Sequence, residues 1–310
     1  MLDDRLYAVS VSGGRARLHD LGSADGIGGA IDALSFAMSR LNRTQGSAAS
    51  RRAAAELFDA TAIELAKRLV PAVVAHSSRP VIIVPTAMLH DVPWGVLAPF
   101  GRRAVTVDPS ISAWARAQRG RAELHADRRA LGSIGFIAGP GLEHAEREVA
   151  QLGTLYRHPR VVTGSESTVP VCLDLFARSD VVHIACHGTF RTDNPMFSAL
   201  RLADGQLVVY DFERLDRLPQ VVVMSACSVA NSKAVHGGSF LGLAAALTTL
   251  GASSVIAPLS PISDASSVEV MLRLHEAMLA GSSPAEALAI AASDVPDGLA
   301  TAGAFVALGS

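Results

Sequence analysis

Residues Val181 to Phe190 read VVHIACHGTF, and residues Gln220 to Ser228 read QVVVMSACS. Each opens as a short apolar run rich in valine. Runs of this length and composition form strands buried on both faces, the kind found in parallel sheets. The first ends at His187 and Gly188, the second at Cys227, 40 residues beyond His187. In open α/β sheets, reactive groups gather beyond the carboxyl ends of strands. If the two runs are neighbouring parallel strands, a thiol and an imidazole project from one edge.

Around these two runs, strand-like and helix-like segments alternate. SIGFIAG (133–139), RVVTG (160–164), SSVIAPL (253–259) and AGAFVALGS (302–310) read as strands. EHAEREVAQLGTLY (143–156), TVPVCLDLFARS (168–179), SFLGLAAALTTLG (239–251) and SVEVMLRLHEAML (267–279) read as helices. This alternation predicts a mainly parallel sheet with helices on both faces. The chain before it has a different rhythm. RLYAVSV-SGG-RARLHDL (5–21) predicts a hairpin turning at Ser12-Gly13-Gly14. Ile27, Ile31, Leu34, Met38 and Leu41 share one helix face, and Phe58, Ala62, Leu65 and Leu69 another. PVIIVP (80–85) reads as a buried strand and LHDVPWGVL (89–97) as a turn-rich segment. AVTVDPSISAW (104–114) reads as strand, turn and helix start, with Ser110 as N-cap. The charged stretch RGRAELHADRRA (119–130) divides the chain into an α+β N-terminal half, 1–130, and an α/β half, 131–310.

Composition narrows the function class. The 310 residues are 49% hydrophobic and 18% charged, enough apolar chain for a full core. A formal charge of −2 supplies no basic stripe for nucleic acid. The first ten residues, MLDDRLYAVS, lack the basic start and apolar core of a secretion signal. Gly237–Ser263 carries no charge, but Gly251 and Pro258 split it into a buried helix and a buried strand rather than a membrane span. Three cysteines, Cys172, Cys186 and Cys227, do not make a disulfide framework, and a cytoplasmic location is expected.

The polar residues of the two runs separate by strand alternation. Cys186 points to the face opposite His187 and reads as core. His183 lies deeper and reads as a buried, hydrogen-bonded histidine. His275, on the apolar side of its helix, reads as packed. A zinc site from His183, Cys186, His187 and Cys227 matches no closed zinc spacing, so no metal and no organic cofactor is expected. HGGSFLG (236–242) lacks the last glycine of a serine-hydrolase elbow, and GPGLEH (139–144) lacks the third glycine of a dinucleotide fingerprint. Cys227 paired with His187 remains: the imidazole favours the thiolate, the form that attacks a carbonyl. Backbone N–H groups of Gly188 and Cys227 could hold the resulting oxyanion.

The order of segments resembles the CHAT peptidase family, caspase-like cysteine peptidases related to caspases and separases. The resemblance rests on the hairpin, on PVIIVPTAMLHDVPWGVL (80–97), VTVDPSISAW (105–114), VVHIACHGTF with NPMFSALRLADGQLVVYDFERL (194–215), VVVMSACS (221–228), and the segments from GGSFLG (237–242) to AFVALG (304–309). The resemblance implies a caspase-like fold and a cysteine endopeptidase acting on a protein substrate. It makes His187 and Cys227 the catalytic pair, and the backbone at Gly188 and Cys227 the oxyanion hole. It also offers Asp204, Ser225, Ser228 and Asp264 as cleft residues. It implies control by a partner such as a helical-repeat sensor protein, with no nucleic acid and no membrane. SVANSK (228–233) departs from the acidic residue and Thr-Gly usual after S-A-C, and Ser260 stands where a tryptophan is common. The alternative is a catalytically inactive CHAT-fold interaction domain.

Overall fold

The computed structural model describes residues 4–42, 46–97, 99–101, 103–115, 118, 132–142, 144–189, 191, 194–226, 238–259, 262, 264–295 and 298–309. In chain order the strands are β1 (Arg5–Ser12), β2 (Arg15–Ser23), β3 (Val81–Ile83), β4 (Val105–Val107), β5 (Ile134–Ala138), β6 (Arg160–Val162), β7 (Val181–Ala185), β8 (Gly188–Thr189), β9 (Ala199–Arg201), β10 (Gln206–Val208), β11 (Val221–Ala226), β12 (Ser254–Pro258) and β13 (Phe305–Gly309). The helices are α1 (Ile27–Leu41), α2 (Ala48–Leu69), α3 (Ala72–Ala75), α4 (Ala145–Gly153), α5 (Val169–Arg178), α6 (Gly238–Thr249), α7 (Asp264–Leu279), α8 (Pro284–Asp294) and α9 (Gly298–Ala302). The boundary stretch 119–130 lies outside the described residues.

Eight strands form one sheet in the order β3-β4-β13-β12-β11-β7-β5-β6. From β6 to β12, neighbours are parallel; β13 runs antiparallel to β12, and β4 and β3 run parallel to β13. The sheet is thus two parallel blocks of opposite direction. β3 and β4, from before residue 130, share it with all the later strands of the sheet. β5, β7, β12 and β13 are buried along their whole length, which is why they read as continuous apolar runs. Helices cover both faces. Phe136 packs against Tyr156, His183 and His275 on one side of β5, while Leu175 of α5 lies against Gly135 on the other.

The hairpin β1–β2 forms a separate sheet and closes through Gly13-Gly14 as expected. α1 and α2 bury the stripes predicted for them. Ser110 accepts a bond from the Ala113 N–H at 3.1 Å, so it does cap the turn at 111–115.

One expectation changes. β3 is an edge strand rather than a buried one, and Ile82 is 46% exposed. A strand with one open side has only one neighbour to cover it. α8 carries no strong signal in the sequence because its alanine-rich segment has a weak apolar stripe. Its start is nonetheless marked by a capping box, with Ser283 and Glu286 bonded to each other's backbone N–H. The chain between β7 and β11 makes a small antiparallel sheet, β8–β9–β10, and a 3-10 turn at Val209–Arg214.

Candidate active site

β7 and β11 are adjacent and parallel, with Val221 opposite Val181, Val222 opposite Val182 and Val223 opposite His183. Their carboxyl ends therefore lie side by side, and Ala226 pairs with Ala185. Beyond Ala185 the chain passes through Cys186 to His187 and turns into β8. The His187 carbonyl accepts the Arg201 N–H at 2.8 Å, which docks the small sheet beside the histidine. Cys227 follows Ala226 directly in the sequence; Cys227 and Ser228 lie outside the described residues.

His187 is half-buried, and its Nε2 is 3.1 Å from the Gly141 carbonyl oxygen. A carbonyl only accepts, so Nε2 carries the proton, and Nδ1 is the basic nitrogen of the neutral ring. Two glycines in the turn after β5 make this possible. Gly139 lies so close to the neighbouring chain that an added Cβ would come within 2.5 Å of the Cys186 Cβ and 2.8 Å of the Arg201 carbonyl oxygen. Gly141 has φ +81°, a conformation open to glycine, and a Cβ there would stand 3.4 Å from His187 Nε2. The Gly-Pro-Gly run that fails as a dinucleotide motif has a structural function instead: it brings a carbonyl to the histidine. Two glycines flanking a proline at a strand end are the signal for it in the sequence.

Cys186 is fully buried against Gly139, and burial pushes its thiol well up. Cys172 is likewise buried and pushed up to about 12. Both are free thiols in the protonated form, unlike a metal-ligating or nucleophilic cysteine. Among the described residues no group of three or more histidine, cysteine or acidic side chains gathers as a metal site. None of the described helices is long and apolar enough to cross a membrane.

His183 and His275 are fully buried, as expected, and they belong to one polar chain. Tyr156 Oη is 2.7 Å from His275 Nδ1, His275 Nε2 is 3.0 Å from His183 Nδ1, and His183 Nε2 is 2.8 Å from Glu148 Oε1. Burial holds the His275 pKa well below its usual value, so the ring is neutral. The polarity then runs one way: Tyr156 donates to His275, His275 to His183, and His183 to Glu148. The Glu148 carboxylate also accepts from the Ser225 hydroxyl and, on Oε2, from Ser267 at 2.9 Å. Every side chain of this chain finds a partner, which a buried polar cluster requires.

Ser225, expected from the sequence as a cleft residue, is instead fully buried and bonded to Glu148 and His183. Asp204 is exposed and caps α5, accepting the Val169 N–H at 2.8 Å. Asp264 is the first residue of α7; its side chain lies outside the described set. Glu148, Tyr156 and Ser267 do not stand out in the sequence, since nothing local distinguishes a glutamate on an amphipathic helix from a solvated one.

No curated protein matches the chain. Two crystal structures of the Saccharomyces cerevisiae separase–securin complex are similar, each with a TM-score of 0.54, at 15% and 14% identity. The likeness covers 74% of this chain in both cases, and 15% and 16% of those chains. It shows a shared fold. The CHAT domain model matches residues 51–301, and the chain belongs to the CHAT domain family.

Proposed function

We propose that the protein is a cysteine endopeptidase of caspase-like type, with Cys227 as nucleophile and His187 as its base. The observation that carries this reading is the parallel pairing of β7 and β11, which brings Ala226, the residue before Cys227 in the sequence, beside Ala185. Nδ1 of His187, left basic by the Gly141 contact, takes the proton from the Cys227 thiol. The thiolate attacks the carbonyl carbon of a peptide bond, and the backbone N–H groups of Gly188 and Cys227 hold the oxyanion. The C–N bond breaks as the imidazolium returns the proton to the leaving amine. Water then hydrolyses the thioester and frees the thiol. The steps use no metal and no organic cofactor.

The substrate in this reading is a protein, and a protein partner controls access to the site in the cytoplasm. Asp264 and Ser228, next to the pair in sequence or at the start of α7, contribute to the cleft. The experiment is a comparison of new N-termini in a proteome exposed to wild-type protein and to Cys227→Ala, alongside labelling by a thiol-reactive peptide probe. Cleavage and labelling are lost in Cys227→Ala, and cleavage is lost in His187→Ala. Undiminished labelling in Cys227→Ala sinks the assignment and leaves an inactive interaction domain.

A further inference from the structure

The small sheet β8–β9–β10 begins directly after His187, and its register decides what stands beside that histidine. Gly188 lies opposite Leu200, so one step back His187 falls opposite Arg201. The Arg201 N–H donates to the His187 carbonyl at 2.8 Å. On the next strand, Gln206 lies opposite Arg201. Residues directly opposite in an antiparallel pair share a face, with Cα atoms about 5.5 Å apart where the pair is hydrogen-bonded. Leu200 and Leu207 are buried on one face of this sheet. The other face carries a polar row: His187 half-buried, Arg201 and Gln206 exposed. A guanidinium thus stands one strand away from the imidazole and on the same side.

That charge has no counter-ion among the described residues, because the acids near it in the chain are committed elsewhere. Asp204, between β9 and β10, accepts the Val169 N–H at 2.8 Å, and Asp211 accepts the Val208 N–H at 3.0 Å. Arg160 and Arg178, by contrast, both pair with Asp174, and Arg217 pairs with Asp180. The main chain of Arg201 is also held in place. Its N–H is bonded to His187, and its carbonyl oxygen lies against Gly139, 2.8 Å from where a Cβ would stand. A cation on a fixed strand beside a reacting group is set for recognition, and the planar fork of arginine matches a carboxylate.

From this geometry we propose that Arg201 is a specificity-determining residue that takes the carboxylate of an Asp or Glu close to the cleaved bond of a protein substrate. Gln206 offers its amide N–H groups to the same carboxylate. The proposal rests on the peptidase reading and deepens it by naming the substrate class, an acidic stretch of polypeptide. An extended substrate advances about 3.3 Å per residue, so an acid within about three residues of the bond reaches the guanidinium.

The test compares new N-termini in a proteome digested by wild type, Arg201→Gln and Arg201→Glu, with Cys227→Ala as the blank. A peptide spanning a wild-type site is then made with its acid and with the matching amide, and kcat/KM is measured for both. The wild-type sites that depend on Cys227 are expected to be enriched in Asp and Glu within about three residues of the cut. The acid-to-amide ratio of kcat/KM is expected to fall about tenfold in Arg201→Gln, mainly through KM, and Arg201→Glu to favour Lys and Arg at that place instead. Added salt is expected to weaken the wild-type preference. If Arg201→Glu does not fold, Arg201→Gln carries the test, since it only removes a charge from an exposed side chain. Cleavage that depends on Cys227 but shows no acidic enrichment overturns the role of Arg201 alone, as does an acid-to-amide ratio unchanged in Arg201→Gln. A wild type with no cleavage beyond that of Cys227→Ala overturns the peptidase reading, and the role of Arg201 with it.

Discussion

The carbonyl oxygen of Gly141 stands 3.1 Å from Nε2 of His187, and the contact sets which imidazole nitrogen is basic. A side chain at Gly141 would disturb it in two ways. The backbone there has φ +81°, which costs an L-residue about 1 kcal/mol or more, and the Cβ would press on Nε2 at 3.4 Å. Gly141→Ala is therefore expected to lower turnover or probe labelling of the site by roughly tenfold or more, against a small loss of stability, about 1 kcal/mol. Rates read beside a thermal melt check this. A melt lowered by several kcal/mol with normal labelling of the folded fraction contradicts it.

Gly139→Ala has the opposite balance. The new methyl would meet backbone and Cβ atoms at 2.5–2.8 Å, and neither can swing away. The loss of stability is expected to exceed that of Gly141→Ala, reaching about 3 kcal/mol through overpacking. Denaturant unfolding of the two variants side by side measures the ranking.

Asp108, at the end of β4, is buried with one carboxylate oxygen unpartnered, while the Gly309 N–H bonds to the group. Burial lifts its pKa to about 6 from 3.8. The folded state therefore holds the proton more tightly than the unfolded one. Its contribution is fully present below pH 3.8 and is lost as pH rises through about 6. Asp108→Asn keeps an acceptor for Gly309 and cannot ionise. It is expected to stabilise the protein at pH 8 by up to about 3 kcal/mol, with the gain shrinking on acidification below pH 6. Thermal melts at several pH values decide it; a constant gain at all pH values rules out the titration.

His275 works with the opposite sign. Its folded pKa lies well below 6.5, so its neutral form contributes stability above pH 6.5 that is lost as pH falls. Below 6.5 the wild type is expected to lose up to about 1.4 kcal/mol per pH unit from this group. Tyr156→Phe removes the donor to Nδ1 and is expected to cost about 1–3 kcal/mol at pH 7.5, by leaving a buried acceptor unpaired. Unfolding free energies of the variant and wild type at that pH measure the cost.

The alternation of apolar runs and amphipathic helices is legible as an α/β sheet because periodicity records which faces are buried. For the same reason the strand and helix patterns alone assign Cys186, His183 and His275 to the interior. The hairpin at Gly13-Gly14 and the cap at Ser110 are legible because turn and cap chemistry is local. The edge position of β3 and the helix α8 are not. Exposure of one strand depends on which strand lies beside it, and an alanine-rich helix carries little pattern.

By itself the sequence determined the strands of the large sheet and of the hairpin, the placement of His187 and Cys227 just past two apolar runs, and the absence of a dinucleotide or serine-elbow motif. Only the tertiary structure decided that β7 and β11 are neighbours. It also decided that the carbonyl of Gly141, from a turn 46 residues away in sequence, orients His187, and that Glu148 reaches Ser225 across 77 residues. Such contacts join distant parts of the chain through chain reversals and crossovers, and no local preference encodes them. The bulge at Ser225, between Met224 opposite Ile184 and Ala226 opposite Ala185, is the clearest case. A single extra residue in β11 exists only relative to the register of β7, so it has no meaning until the two strands are paired.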